Sequence, residues 1–471
     1  MRSDTEVKDM RGYNAWSYAP YRPFFFEVGD IYVCRIAPSE NAIHLEWLGE
    51  GEKEYGVFFK KRDEESFISA GSTKLCEFDI SGLECDNDYE FYVQAGEEKS
   101  RVRLARTGAS VGTVVNYLHP DDKAYDFSGQ YLCSPSLVRH PDGYLLASMD
   151  LYKKAYPQNL TLIYRSDDNG TTWHYVSELT PCFWGKMFIH GGELYMLAVS
   201  TEYGDLLIGK STDGAKTFTA PVTLLRGSNG KNGDVGVHKN PQNVIRHGGR
   251  IYNTLEWGSW GRKYHAPMVM SCDENADLMN PENWEFSYPV KYDPTWAGVA
   301  HGESTGNIEG TLTVSPDGKL YNIMRYDMAK TEEKYGLVLA YEVNTEDHGA
   351  PLTYSHAIRF PANHSKFTIK RDPVTKKYYT LATRITDENY TNDRRLLTLM
   401  ASDDLENWSI VKDIIDRRPF ASPKDEGLQY VDFEMEGEDI IFLCRTALNK
   451  SNSFHDSNYI TFHRIKDFRN L

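Results

Sequence analysis

From about residue 113 onward, apolar and polar positions fall into a repeated figure. A short apolar run leads into a turn rich in glycine or aspartate, and a second apolar run follows. The instances are SLVRHPDGYLLASM, KMFIHGGELYMLAV, NVIRHGGRIYNTLE, TLTVSPDGKLYNIMR, FTIKRDPVTKKYYTLATR and VDFEMEGEDIIFLCR. Each reads as a β-hairpin, with turns centred near Asp142, Gly191, Gly248, Asp317, Pro373 and Gly437. The hairpins recur roughly every 50–70 residues, the length of a four-stranded propeller blade of ~40–50 residues with added loops. Six hairpins predict a six-bladed β-propeller over residues 111–471.

The preceding part alternates differently. In IHLEW the residues Ile43, Leu45 and Trp47 share one face, and Tyr55, Val57 and Phe59 do the same in YGVFFKK. Further on, Leu83 precedes a strand on which Tyr89, Phe91 and Val93 alternate. A Trp on an early strand and a Leu-then-Tyr corner before a late one resemble a fibronectin type III β-sandwich, over about 80 residues. The division expected is therefore a small sandwich with an N-terminal extension over 1–110, then the propeller. The aromatic stretch YNAWSYAPYRPFFFEVGD, within that extension, matches neither pattern.

A second signal lies between the hairpins. Ser166, Asp168, Gly170, Thr172 and Trp173 form S-x-D-x-G-x-T-W. Ser211, Asp213, Thr217 and Phe218 make a looser copy, Ser402, Asp404 and Trp408 a third, and Ser271, Asp273 and Trp284 a stretched fourth. In such a turn the Asp and Ser side chains bond backbone amides, Gly takes a positive φ, and the aromatic residue plugs the strands. These Asp-boxes resemble those of the sialidase (neuraminidase) superfamily, and the resemblance covers about 360 residues.

Composition narrows the partners. Aromatic residues make up 13% of the chain, which suits both strands and sugar stacking. The net charge of −16, with no Lys/Arg run, argues against nucleic acid and anionic membrane, so any anionic substrate needs a local arginine cluster. Seven scattered cysteines without C-x-x-C give neither a disulfide framework nor a zinc site, and no metal or cofactor is expected. No apolar run is of membrane-spanning length, and the first residues have no signal-peptide core. These features predict a soluble cytoplasmic protein, although a chain whose leader had been removed would read the same. They assign no oligomeric state.

In a propeller, the ends of second strands and the beginnings of first strands share one face. After second strands stand Asp150, Glu202 with Tyr203, Glu256 with Trp257, Arg325 with Asp327, Arg384 and Arg445. Before first strands stand Cys133 with Ser134, Trp184 with Lys186, His238, Glu309, Lys366, and Gln429 with Tyr430. Arginine at the same place in three consecutive hairpins suggests a clamp of Arg325, Arg384 and Arg445; the alternative is that they pair with carboxylates such as Asp327 and Asp432 between blades. His238 is the best placed general acid or base. His455, next to Asp456, and Lys366 are further pocket candidates, and Trp184 and Trp257 are candidates for stacking on sugar.

The resemblance adds roles. Sialidases use a tyrosine nucleophile with a glutamate, an aspartate acid/base and three arginines around the substrate carboxylate. NIEGTLTVSPDGKLYNIMR is similar to the segment with the glutamate and second arginine, which implies Glu309 and Arg325. QYVDFEMEGEDIIFL is similar to the tyrosine segment, which implies Tyr430, and Arg384 falls to the third arginine. The chain also departs from the pattern. Leu132, Cys133, Ser134 and Pro135 replace the Arg-Ile-Pro opening, and no acidic residue lies between Leu151 and Asn159, leaving Asp150 as the nearest candidate acid. Three readings stand: an exo-acting glycoside hydrolase with a modified sialidase-like pocket for an acidic sugar; a polysaccharide lyase or unusual glycosidase on uronate- or rhamnose-containing glycans, with His238 and Tyr430 as base and acid; and a non-catalytic carbohydrate-binding propeller.

Overall fold

The computed structural model describes residues 30–49, 52–228, 234–362 and 365–471. The aromatic stretch at residues 13–29 lies outside them. The fold is all-β and of the propeller type, with three short 3₁₀ turns as the helical elements of the described residues.

Two sheets face one another at the N-terminal end. One pairs Tyr32–Pro38, Ala42–Leu48 and Glu77–Ser81; the other pairs Ile68–Thr73, Tyr55–Lys61 and Asp88–Ala95, with Glu98–Lys99 and Arg103–Arg106 on the last. Period-2 alternation produces the core between them: Ile43, Leu45, Trp47, Tyr55, Val57, Tyr89, Phe91 and Val93 are all buried. Tyr89 Oη accepts a hydrogen bond from the Glu84 amide at 2.9 Å, which fixes the corner before its strand. Glu46 breaks the alternation by being buried, because it bonds Arg35 and the Tyr175 amide of the neighbouring sheet. Tyr32 to Glu178 at 2.8 Å and Tyr164 to the Cys34 carbonyl at 3.0 Å are further buried bonds across this junction.

From Tyr131 onward, among the described residues, six antiparallel sheets of four or five strands follow one another in the order of the six hairpins, and a two-stranded ribbon pairs Gly302–Glu303 with Lys330–Thr331. The first consists of Tyr131–Arg139, Leu145–Tyr152, Thr161–Ser166 and His174–Leu179. The third has an interrupted first strand, Gly236–His238 and Ile245–His247, and the fifth a short one, Ile369–Arg371. In the sixth, Gly427–Glu436, Asp439–Ala447 and Tyr459–Ile465 are completed by Thr113–Tyr117 from before the first sheet. A late strand and an early one thus complete the same sheet. The first strands of the sixth and first sheets also pack together, so the ring closes.

Buried polar bonds join neighbouring sheets. The Leu137 amide donates to Asp432 at 2.7 Å, Met187 to Ser136 Oγ at 3.0 Å, and Asn322 to Thr254 Oγ1 at 2.8 Å. Each would cost more left unmade than it contributes when made, so these bonds fix the order of packing.

The turns read as Asp-boxes join third to fourth strands. Ser166 donates to Asp168 at 2.8 Å, and Asp168 accepts from the Thr172 amide and hydroxyl at 2.8 and 2.7 Å. Gly170 has φ 92°, and a side chain there would run into the Phe462 ring. The indole of Trp173 is fully buried, 5.5 Å from that ring. Among the described residues no helix is long and apolar enough to cross a membrane. Trp173→Ala removes this plug and is expected to destabilise the protein by about 3–5 kcal/mol, measured by urea unfolding; a loss under about 1 kcal/mol would mean the turn is held by its hydrogen bonds alone.

Candidate functional site

Four of the six first strands carry the same irregularity. Ser134, Trp184, Glu309 and Tyr430 have φ of 47°, 51°, 57° and 55°. At each, the register with the second strand slips: between Cys133 and Ser136, Phe183 and Lys186, Ile308 and Gly310, and Gln429 and Asp432. These are β-bulges with a non-glycine residue in the left-handed region, costing about 1–3 kcal/mol each. A bulge re-aims a side chain and frees backbone amides, and buried carboxylates take several of those. Asp150 accepts from the Trp184 amide at 2.8 Å, and Glu256 accepts from the Gly310 amide at 3.2 Å. Both carboxylates lie on the second strand of the preceding sheet.

The bulges of the fourth and sixth sheets aim at each other. Tyr430 Oη donates to Glu309 Oε1 at 2.5 Å, and Arg325 donates to the other oxygen, Oε2, also at 2.5 Å. All three are largely buried. Burial would raise the Glu309 carboxyl, but the Arg325 guanidinium, His238 and the two hydrogen bonds hold it below its usual value. Burial and the Glu309 charge push the Tyr430 phenol well above its usual value, against three arginines. The resting state is therefore carboxylate and neutral phenol.

Those arginines are Arg325, Arg445 and Arg394. The Arg445 guanidinium lies 5.0 Å from the Tyr430 ring centre. Arg394 is 4% exposed, bonds Gln429, and is pressed downward in pKa by burial and by Arg325. Arg325 Nε and Arg445 Nε are buried with no hydrogen-bond partner among the described residues. Three guanidinium groups around the Glu309–Tyr430 pair leave local excess positive charge.

A second cluster adjoins this one. His238 Nδ1 lies 2.5 Å from Glu256 Oε2, and its ring packs 4.3 Å from Trp184 and 4.8 Å from His265. His265 Nε2 meets the Tyr203 hydroxyl at 3.0 Å and is pressed well below its ordinary pKa by burial, His238 and Arg325. Glu256 thus bonds both His238 and the amide following Glu309, linking the two clusters.

The other residues expected here are placed as follows. Asp150 is fully buried, accepts from Thr161 Oγ1 at 2.5 Å as well as from Trp184, and is pushed by burial up to about 7. It anchors a bulge and does not reach Tyr430. Arg384 turns away and pairs with Asp413 on the outer strand of its own sheet at 2.6 Å. Lys366 donates to the Val431 carbonyl at 3.2 Å, in a buried layer with Lys186, which pairs with Asp432 at 2.6 Å. Trp257 is half-buried against the hydrophobic core, whereas Trp184 faces His238. The His455 carbonyl accepts from Arg445 at 2.5 Å, and its ring nitrogen lies 2.9 Å from Asp456. Asp327 accepts from Thr305, not from an arginine side chain. Arg394, His265 and Tyr152 were not anticipated. Arg394 and His265 stand at the beginning of third strands, which start on the face where second strands end. That position carries the signal.

Among the described residues, one group has nitrogen and carboxylate atoms close enough for a metal ion: His44, Glu46 and Glu77, on the sandwich. Glu46 there is already bonded by Arg35 and by a backbone amide, and the group is remote in sequence and sheet from the axis.

No protein-family model matches this sequence, and no curated protein does. Solved structures do. An α-L-arabinanase of Penicillium chrysogenum, determined with arabinobiose, aligns at 15% identity over 76% of this chain and 98% of its own, with a TM-score of 0.51. A Trypanosoma rangeli sialidase aligns at 15% identity over 78% of this chain and 56% of its own, with a TM-score of 0.49. An ulvan lyase, a polysaccharide lyase, aligns at 12% identity over 93% of this chain and 94% of its own, with a TM-score of 0.43. At these identities the likeness to the arabinanase is one of fold.

If Arg325, Arg394 and Arg445 form one anion site, sulfate or a small carboxylate raises the melting temperature by binding the folded state. Arg394→Ala is expected to weaken that binding by about 1.5–3 kcal/mol, the scale of a charge-assisted hydrogen bond. Arg384→Ala should leave it unchanged, and an equal effect of both variants in thermal-shift titrations would exclude the three-arginine site.

Proposed function

We propose that this protein is a carbohydrate-active enzyme, specifically an exo-acting glycoside hydrolase that cleaves a glycoside of an acidic sugar at the axial site. The observation that carries this reading is the bonded chain Tyr430–Glu309–Arg325, built from two bulges in different sheets. Such a chain has little purpose in stability: two of its three residues, Tyr430 and Glu309, are strained, and it buries a carboxylate with one of its partners a neutral phenol. It does suit nucleophilic catalysis, in which an adjacent base removes a proton from a weak nucleophile as it attacks. A neutral phenol also avoids the repulsion that a carboxylate nucleophile would meet at a sugar carrying its own carboxylate. Arg325, Arg394 and Arg445 then hold that carboxylate. The sialidase-like segments around Glu309, Arg325 and Tyr430 support the same roles, and the arabinanase fold supports a carbohydrate ligand. Residues 1–110 would act as a fibronectin type III-like module fused to a catalytic propeller over 111–471.

A second reading has its own observation. His238 with Glu256, beside Tyr203 with His265, is a buried base-and-acid constellation of the kind an eliminating lyase needs, with an arginine to neutralise the uronate. The products separate the two. A hydrolase frees reducing sugar, and a lyase leaves an unsaturated uronate with ultraviolet absorbance; a panel of sialosides, glucuronides and rhamnosides covers both. Tyr430→Phe keeps the ring and deletes the hydroxyl, and is expected to lower turnover at least ~100-fold. Near-normal turnover in that variant, with the fold intact, would transfer the chemistry to His238.

A further inference from the structure

The hydrolytic reading lacks a proton donor. The glycosidic oxygen must leave as an alcohol, yet Asp150 is spent on Thr161 and the Trp184 amide. The other carboxylates of the axis are likewise taken: Glu309 by Tyr430 and Arg325, Glu256 by His238 and the Gly310 amide, Asp432 by Lys186 and the Leu137 amide. One acidic side chain near them is differently placed. Glu202, just past the second strand of the second sheet, forms part of the wall of a cleft of about 690 Å³. Among the described residues its one hydrogen bond is a long contact from Gln158 at 3.4 Å, and no cation pairs with it.

The cleft borders the axial site through two tyrosines. Tyr152 lies with its ring 5.7 Å from the Arg445 guanidinium, which in turn covers Tyr430. Tyr203, in the left-handed conformation with φ 63°, lies 5.9 Å from His238. Glu202 directly precedes Tyr203 in the chain, so it stands next to the residue that packs on His238 and bonds His265. Tyr156 and the half-exposed Trp260 complete an aromatic lining, which suits the apolar faces of sugar rings.

We propose that this cleft receives the leaving half of the substrate, a neutral sugar unit stacked on its aromatic residues, and that Glu202 is the general acid. The inference rests on the hydrolytic reading above. In the first step the bond between the anomeric carbon and the leaving oxygen breaks, and a bond from Tyr430 Oη to that carbon forms. The phenol proton passes to Glu309, and the Glu202 proton passes to the leaving oxygen. In the second step Glu202, now a carboxylate, takes a proton from water as the water oxygen attacks the same carbon. Tyr430 leaves and recovers its proton from Glu309, so both side chains return to their starting states. Burial raises the Glu202 carboxyl above its usual value, which favours the protonated form that the first step needs.

The test compares leaving groups. Sialosides and glucuronides are supplied both as disaccharides and as dinitrophenyl glycosides, whose leaving phenolate needs no proton. Glu202→Gln is expected to slow disaccharide cleavage ~100- to 10,000-fold, the range of general-acid catalysis. Dinitrophenyl glycosides should be cleaved within about tenfold of the parent rate, which also reports that the variant is folded. Glu202→Ala should give the same split. An equal loss on both substrates, or no loss on either, overturns the assignment of Glu202. Loss of both activities in Tyr430→Phe, with Glu202→Gln failing to split them, leaves the hydrolytic reading standing without this acid. Release of unsaturated uronate by the parent protein removes the reading and the acid together.

Discussion

Where a ring of sheets closes, its innermost strands converge, and a bend in such a strand can aim a side chain at the axis. Here the bend is a bulge with a non-glycine residue at positive φ, repeated at Ser134, Trp184, Glu309 and Tyr430. The bulge costs conformational energy and frees amides from the ladder. Much of the buried polar chemistry around the axis answers that cost. Asp150 holds the Trp184 amide, Glu256 the Gly310 amide, and Asp432 the Leu137 amide, each across to the next sheet. The same bonds set the angle at which neighbouring sheets meet, so the geometry of the site and the closure of the ring are one problem.

This accounts for the divergent fates of residues at one structural position. Asp150, Glu256, Arg325 and Arg445 all lie on second strands, and Asp150, Arg325 and Arg445 pair with the residue just before a bulge: Cys133, Ile308 and Gln429. Arg384 has no such partner. Its sheet has only Ile369–Arg371 as a first strand, paired no further along than Thr380. Nothing there turns Arg384 inward, and it settles on Asp413. Arg394 instead approaches Arg325, Tyr430 and Arg445, from just before the third strand of the same sheet.

The hairpins and their turns were legible because apolar periodicity and turn chemistry are local properties. Glu309, Arg325, Arg445 and Tyr430 were legible as pocket candidates because strand ends map directly onto one face. Arg394 and His265 were not, since only first and second strands had been followed to that face. The role of Asp150 was beyond local reading for another reason. Whether a carboxylate at a strand end serves a reaction or an amide depends on the backbone of the neighbouring sheet, about thirty residues away in sequence and in contact only once folded.

Electrostatics then decides when the site becomes reactive. The chain carries a net charge of −16, yet its axis is lined with Arg325, Arg394, Arg445, Lys186, Lys239 and Lys366, against Glu309, Glu256, Asp432 and Asp150. Burial limits screening, so this local excess outweighs the distant acidic surface. The arginines hold Glu309 ionised but also make it a poor base, because a carboxyl with a low pKa has little affinity for the phenol proton. On the proposed reading a substrate carboxylate changes that balance. Settling among Arg325, Arg394 and Arg445, it neutralises part of the charge that depresses Glu309, and the basicity of Glu309 rises. The anion that is bound thereby strengthens the base that activates Tyr430, and a neutral sugar in the same place would leave the base weak. Selectivity for an acidic sugar would then arise in the chemical step as well as in binding, since the interaction that captures the substrate also tunes the group that attacks it.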